Sequence, residues 1–399
     1  MVVPPPCRHA VTMPDNRPDT SPETGPDTGP DNGPDNGPIP PLTRHLLDRI
    51  AQDGPLRLSD YMADCLLHPR YGYYTTRDPL GAAGDFTTAP EISQMFGELI
   101  GLSLAQSWLD QGAPSPFTLA ELGPGRGTLM ADILRATRGV PGFHAAMTLL
   151  LVEVSPTLRR AQKATLKGQD VAWRDRLGDM PDAPLFLVAN EFFDALPIRQ
   201  FVRADDILWQ ERRVTAQGTT LTLGLTGAAP EPALAHRLGD TKPGDIVETC
   251  PAASAIAAQI GDHIARHGGA ALIVDYGDWR SQGDTLQALR NHAYADPLAD
   301  PGQSDLTAHV DFEDIATAAA PACHSLLTPQ GVFLERLGIT ARAQALAARL
   351  TDDALSAHVA AHRRLTHPQE MGTLFKTLAL YPKGHRPPPG LEPAKHDSA

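Results

Sequence analysis

The stretch FTLAELGPGRGTLMADILRATR, residues 117–138, decides the fold. An apolar run over residues 117–122 leads into glycines at 123, 125 and 127, and an amphipathic run follows from Thr128. That order reads as strand, tight turn and helix. Gly123, Gly125 and Gly127 remove the β-carbon at alternate positions, so the backbone can take φ > 0 and a ligand can approach the helix N-terminus. A dinucleotide fingerprint requires another glycine three residues after its second, and Thr128 stands there instead. With Glu121 just ahead of the loop, the pattern suits a nucleotide-like cofactor that lacks a pyrophosphate. The plainer reading of the loop alone is a glycine-rich turn at a helix start.

Working outward, MTLLLVEVSP (residues 147–156) is an apolar strand ending at Glu153, a carboxylate placed to bind a ribose diol. DVAWRDRLGDMP (170–181) contains a short strand with Trp173 at its end. APLFLVANEFFDALPIRQFV (183–202) is a fully apolar strand running into Asn190, Glu191 and Asp194. Ligands sit at the carboxyl ends of strands in open parallel sheets. Glu191 and Asp194, three residues apart, are therefore expected to aim together at one cation. A capping asparagine followed by solvated acids is the alternative.

Residues 199–249 carry ILWQERRV and TTLTLGL around Gln217-Gly218, which predicts an antiparallel insertion. PAASAIAAQIGDHIARHG (251–268) is the next helix and GAALIVDYGD (269–278) the fifth strand. His309 and Asp311 fall beside a further helix, and GVFLERLGI (331–339) and MGTLFKTLALYP (371–382) are expected as the last strands. Strands alternating with helices give an α/β, doubly wound, Rossmann-like parallel sheet.

Ahead of that core, residues 42–69 show helical spacing broken at Asp53-Gly54-Pro55, which predicts two helices. A loop over residues 70–85, rich in tyrosine and glycine, leads to a helix starting near Glu91. Such a loop either lines a site or covers the core. The expected organisation is a disordered tail over 1–40, a helical region and loop over 41–115, a core over 116–382 and a loose tail over 383–399. The motif GPDTGPDNGPDNGP (25–38) offers almost nothing to bury. Its acids set it apart from arginine-rich transit peptides, and it has no apolar centre for a secretory signal. A bacterial cytoplasmic protein is expected, with Met13 a second candidate start.

The 34 basic and 47 acidic residues give a net charge of −13, which disfavours nucleic acid and anionic membranes and attracts a basic partner. The four cysteines form no CxxC pair, so no zinc site or disulfide framework is indicated, and no metal is expected. No apolar run approaches the ~20 residues needed to cross a bilayer.

Six blocks in order carry a resemblance: residues 68–98, ELGPGRGTLMADILR, ANEFFDALPIRQF, LIVDYGD, DLTAHVDF and MGTLFKTL. Together they resemble the MidA family, the mitochondrial complex I assembly methyltransferases and their bacterial relatives, over about residues 44–382. The family commonly has Thr-Gln-Gly where this chain has Thr328-Pro329-Gln330-Gly331.

The resemblance implies a class I fold using S-adenosylmethionine, and protein arginine methylation of a complex I subunit. It puts Gly123, Gly125 and Gly127 at the methionine part of the cofactor and Glu153 at its ribose. Glu121, Trp173 and Asn190 join the cofactor set, and a segment including Gly84 and Asp85 closes over the site. NEFFDALP, residues 190–197, would face the substrate; of these Asn190, Glu191 and Asp194 are the candidates to act on it, with Glu91 and His309 in reserve as clamp and proton acceptor. A homodimer is compatible with this picture. A methyltransferase for a small molecule, or an assembly factor without turnover, are the competing readings.

Overall fold

The computed structural model describes residues 38–76, 88–178, 180–290 and 293–394. The tail over 1–37 and the loop that holds Gly84 and Asp85 lie outside them. Contacts separate residues 1–38 from a unit over residues 39–399, and the central sheet with its covering helices belongs to that unit.

The core strands are β1 (Phe117–Leu122), β2 (Met147–Val152), β3 (Val171–Arg174), β4 (Leu185–Asn190), β5 (Gly269–Asp278) and β6 (Phe375–Tyr381). Every residue of β1 and β4 is buried, as an unbroken apolar run covered on both faces requires. β1 pairs in parallel with both β2 and β4, placing it where the winding of the sheet reverses. β2 pairs in parallel with β3 and β4 with β5, giving the order β6-β5-β4-β1-β2-β3. The sheet is mixed: β6 runs antiparallel to β5, so the fully parallel expectation holds for the five strands before it.

One core layer lies under helices Gln94–Asp110 and Thr128–Thr137, the other under Pro251–His267 and Phe312–Ala318. Residues 199–249 do form antiparallel strands. These pack through Val214 and Leu221, with Ile198 just ahead of them, against helix Leu58–Leu67, whose Leu66 reaches the cavity at the carboxyl ends of the core strands.

Two expectations are corrected. Residues 331–339 are not a strand: helix Gln330–Arg336 occupies most of them, burying Phe333 and Leu334 while Glu335 stays exposed. Gly331 sits where a β-carbon would come within 2.3 Å of the Thr366 carbonyl oxygen, so the helix is pressed onto its neighbour at a bare position. The stretch 383–394 is not loose either. Leu326 and Ala394 donate backbone hydrogen bonds to Glu392 and His324, and Ser103 donates to the Pro389 carbonyl. Proline carbonyls accept as well as any others, which composition alone does not reveal. No helix among the described residues is long and apolar enough to cross a membrane.

Candidate active site

The carboxyl ends of β1 to β4 open on a cavity of about 660 Å³. Its wall includes the glycine loop, Glu121, Glu153, residues 175–178, Asn190 and Glu191, with Pro90 and Glu91 from the opposite side. Gly123, Gly125 and Gly127 have φ of 59°, 51° and 83°, the left-handed region that favours glycine. A β-carbon on Gly123 would lie 2.8 Å from Cδ2 of Phe192, so the two turns meet only because this one is bare.

Gln162, completely buried on helix Pro156–Thr165, ties the loop to its surroundings. Its amide donates to the Gly125 carbonyl at 2.8 Å and to Glu153 Oε2 at 3.3 Å, and its Oε1 accepts from the Trp173 indole at 2.9 Å. The Ser155 N–H donates to Glu153 Oε1 at 2.7 Å. Trp173, expected at the cofactor, is absent from the cavity wall among the described residues. Its N–H is engaged by Gln162, so it acts behind the loop. Gln162 itself escaped sequence reasoning, although a glutamine four residues after Leu158 on one helix face was the available signal.

Burial and the nearby Glu153 push the Glu121 carboxyl up to about 8, and its Oε2 has no hydrogen-bond partner. Burial also raises Glu153, against the hydrogen bonds it accepts. Glu191 is pushed by burial to about 7. It occupies the left-handed region at φ 52°, and its Oε1 accepts from the Ala89 N–H at 3.0 Å and the Asn190 amide at 3.1 Å. Asn190 Oδ1 is buried without a partner. Glu91, on the wall, accepts from the Thr128 hydroxyl at 2.7 Å.

Asp194 does not join Glu191 on the cavity wall. The turn between them is wrapped around Asp275, whose Oδ2 accepts from the N–H groups of Phe192, Phe193 and Asp194 at 3.2, 3.0 and 3.3 Å. Asp194 is buried beside Tyr276, where burial raises its carboxyl to about 6. His309 is also away from the wall, its ring edge-on to Tyr276 at 5.4 Å. Of the expected Glu191–Asp194 pair, only Glu191 lies on the cavity wall, beside Asn190. Asp275, where the apolar run of the fifth strand ends as another does at Glu153, is given no role by sequence reasoning.

The family model for S-adenosyl-L-methionine-dependent methyltransferases matches residues 99–330. The protein arginine methyltransferase NDUFAF7 homolog, mitochondrial, of Drosophila melanogaster is 34% identical over 381 residues, covering 86% of this chain and 85% of its own. The chain belongs to this methyltransferase family. Human mitochondrial protein arginine methyltransferase NDUFAF7 is also 34% identical, over 86% of this chain and 84% of its own. A methyl transferase candidate from Burkholderia thailandensis, solved with S-adenosyl-homocysteine bound, superimposes with a TM-score of 0.74 at 30% identity. It covers 85% of this chain and 91% of that one.

As a MidA-like methyltransferase the chain uses S-adenosylmethionine, and its sheet is the methyltransferase fold. The expected bacterial cytoplasmic location is overturned, because the curated relatives are mitochondrial proteins of animals. The acid-rich composition of residues 1–40 was not evidence of compartment.

Proposed function

We propose that this methyltransferase transfers its methyl group to an arginine of a protein, with a respiratory complex I subunit as the substrate its family resemblance points to. The relatives' names carry the arginine, and one observation in the site supports it. Glu191 stands on the cavity wall as a carboxylate tethered at one oxygen only by a backbone N–H and a side-chain amide.

The wall also fits the methyl donor. The unpartnered acceptors of Glu121 and Asn190 suit an ammonium and hydroxyl donors, the bare glycine turn admits a close approach, and Glu153 ends β2. When bound, the cofactor supplies an electrophilic methyl group on a sulfonium. The protein's part is to hold the acceptor nitrogen in line. A guanidinium donates hydrogen bonds to a carboxylate in a planar fork, so Glu191 fixes its rotation and favours its charge away from the attacking nitrogen. As the new nitrogen–carbon bond forms and the sulfur–carbon bond breaks, that nitrogen loses a proton. Glu191, the carboxylate placed at that nitrogen, is the group to receive it.

The test uses methyl-tritiated S-adenosylmethionine and an extract of cells lacking this protein. Label recovered as methylated arginine after acid hydrolysis supports the reading, and Glu191→Gln should lower that rate far more than it lowers affinity for S-adenosylhomocysteine. Label on other residues or on small molecules would refute it.

A further inference from the structure

Glu191 is held in the left-handed region, at φ 52°, which is unfavourable for a residue with a β-carbon, and something must impose it. Its own N–H donates to the Val274 carbonyl at 2.9 Å. The next three N–H groups all converge on one oxygen of Asp275, and the Tyr276 N–H donates to the other at 2.9 Å. Asp275 is wholly buried, yet it is absent from the cavity wall. Four backbone donors on one carboxylate therefore lock the end of β4 to the end of β5, immediately beside Glu191.

We infer that Asp275 is a positioning residue for methyl transfer, setting the backbone from which Glu191 reaches the acceptor nitrogen. The inference rests on the proposed role of Glu191. An asparagine cannot replace this carboxylate. Whichever way its amide is turned, an NH₂ faces either the three N–H groups of the turn or that of Tyr276, and donors do not satisfy donors. The turn must then shift, and Glu191 with it. A misplacement of about 1 Å in such a group can cost ~100-fold in rate. Phe192 of that turn lies against Gly123, but Gln162 holds the Gly125 carbonyl and Glu153 through hydrogen bonds that do not involve Asp275, so the grip on the cofactor should be largely kept.

The test compares Asp275→Asn, Glu191→Gln and the double variant in the full chain. It reads label transfer into the same extract at saturating S-adenosylmethionine, and calorimetric affinity for S-adenosylhomocysteine. Asp275→Asn is expected to lose at least about tenfold in rate with cofactor affinity within about twofold of the parent. The double variant should be hardly slower than Glu191→Gln, since both changes remove one contribution. A purely structural role would give additive losses and weakened cofactor binding, overturning the inference. If Asp275→Asn fails to fold, Asp275→Glu carries the same expectation, because it keeps the carboxyl but displaces it by one methylene. Failure of both to fold would make Asp275 a folding residue and overturn the inference. An unimpaired Glu191→Gln would refute the functional reading itself, whereas a crippled Glu191→Gln beside an unimpaired Asp275→Asn would overturn this inference alone.

Discussion

Binding of S-adenosylhomocysteine should expel a proton from Glu121. In the free protein, burial and Glu153 push this carboxyl to about 8, so roughly nine in ten molecules carry its proton at pH 7. An ammonium at that carboxylate favours the anion. Calorimetric titration at pH 7 in buffers of different ionisation enthalpy should therefore show about 0.9 proton more released by the parent than by Glu121→Gln. Over pH 6.0 to 7.5 the parent's affinity should climb about 25-fold, ~1.9 kcal/mol at 1.36 kcal/mol per tenfold. Glu191, near 7, titrates in the same range, so the comparison with the variant decides, not the raw proton count. Equal proton release by the two proteins, or an affinity independent of pH, would show that Glu121 is not the counter-charge.

Gly123→Ala combines a left-handed position, about 1–2 kcal/mol for a residue with a β-carbon, with an approach of 2.8 Å to Phe192. It should lower the melting temperature by a few degrees and weaken S-adenosylhomocysteine binding in calorimetry; an unchanged affinity would mean that Phe192 yields freely. Gln162→Ala removes three hydrogen bonds among Gly125, Glu153 and Trp173. At about 1 kcal/mol each, it should reduce cofactor affinity by tenfold or more, and a change under twofold would count against the network.

The free protein should lose stability as pH rises from about 4.5 to 8. Glu121 and Glu191 are raised above their unfolded values, so the native state binds more protons across that window. Urea midpoints at pH 5 and pH 8 check the sign. Saturating S-adenosylhomocysteine should flatten the fall, and a rise with pH would contradict it.

What could be read from the sequence was what repeats locally. The unbroken apolar runs at residues 117–122, 147–152 and 185–190 announced buried parallel strands, and each ended on the polar residues that now line the cavity. What sequence spacing could not supply was the direction of side chains in a turn. Asp194 and Glu191 looked like a pair, but the N–H groups of that turn converge on Asp275, distant in sequence, and only Glu191 reaches the cavity wall. Trp173 likewise looked like a cofactor contact because it ends a strand, whereas the amide that engages it belongs to the preceding helix. The stretch 331–339, mostly helical, was misjudged because a short apolar run carries no decisive period.

Both margins of the central sheet are closed to strand addition. On one side, residues 323–329 pair along β6, reinforced by Ser325, which bonds Ala379 through backbone and hydroxyl, with Pro329 and Pro393 beside them. On the other, β3 is only four residues long and ends at the exposed Arg174. Short strands, prolines and charge are the features that keep an open row of amides from recruiting another chain. Assembly of this enzyme through the margins of this sheet is therefore disfavoured, leaving the sheet to act as a rigid chassis of fixed width.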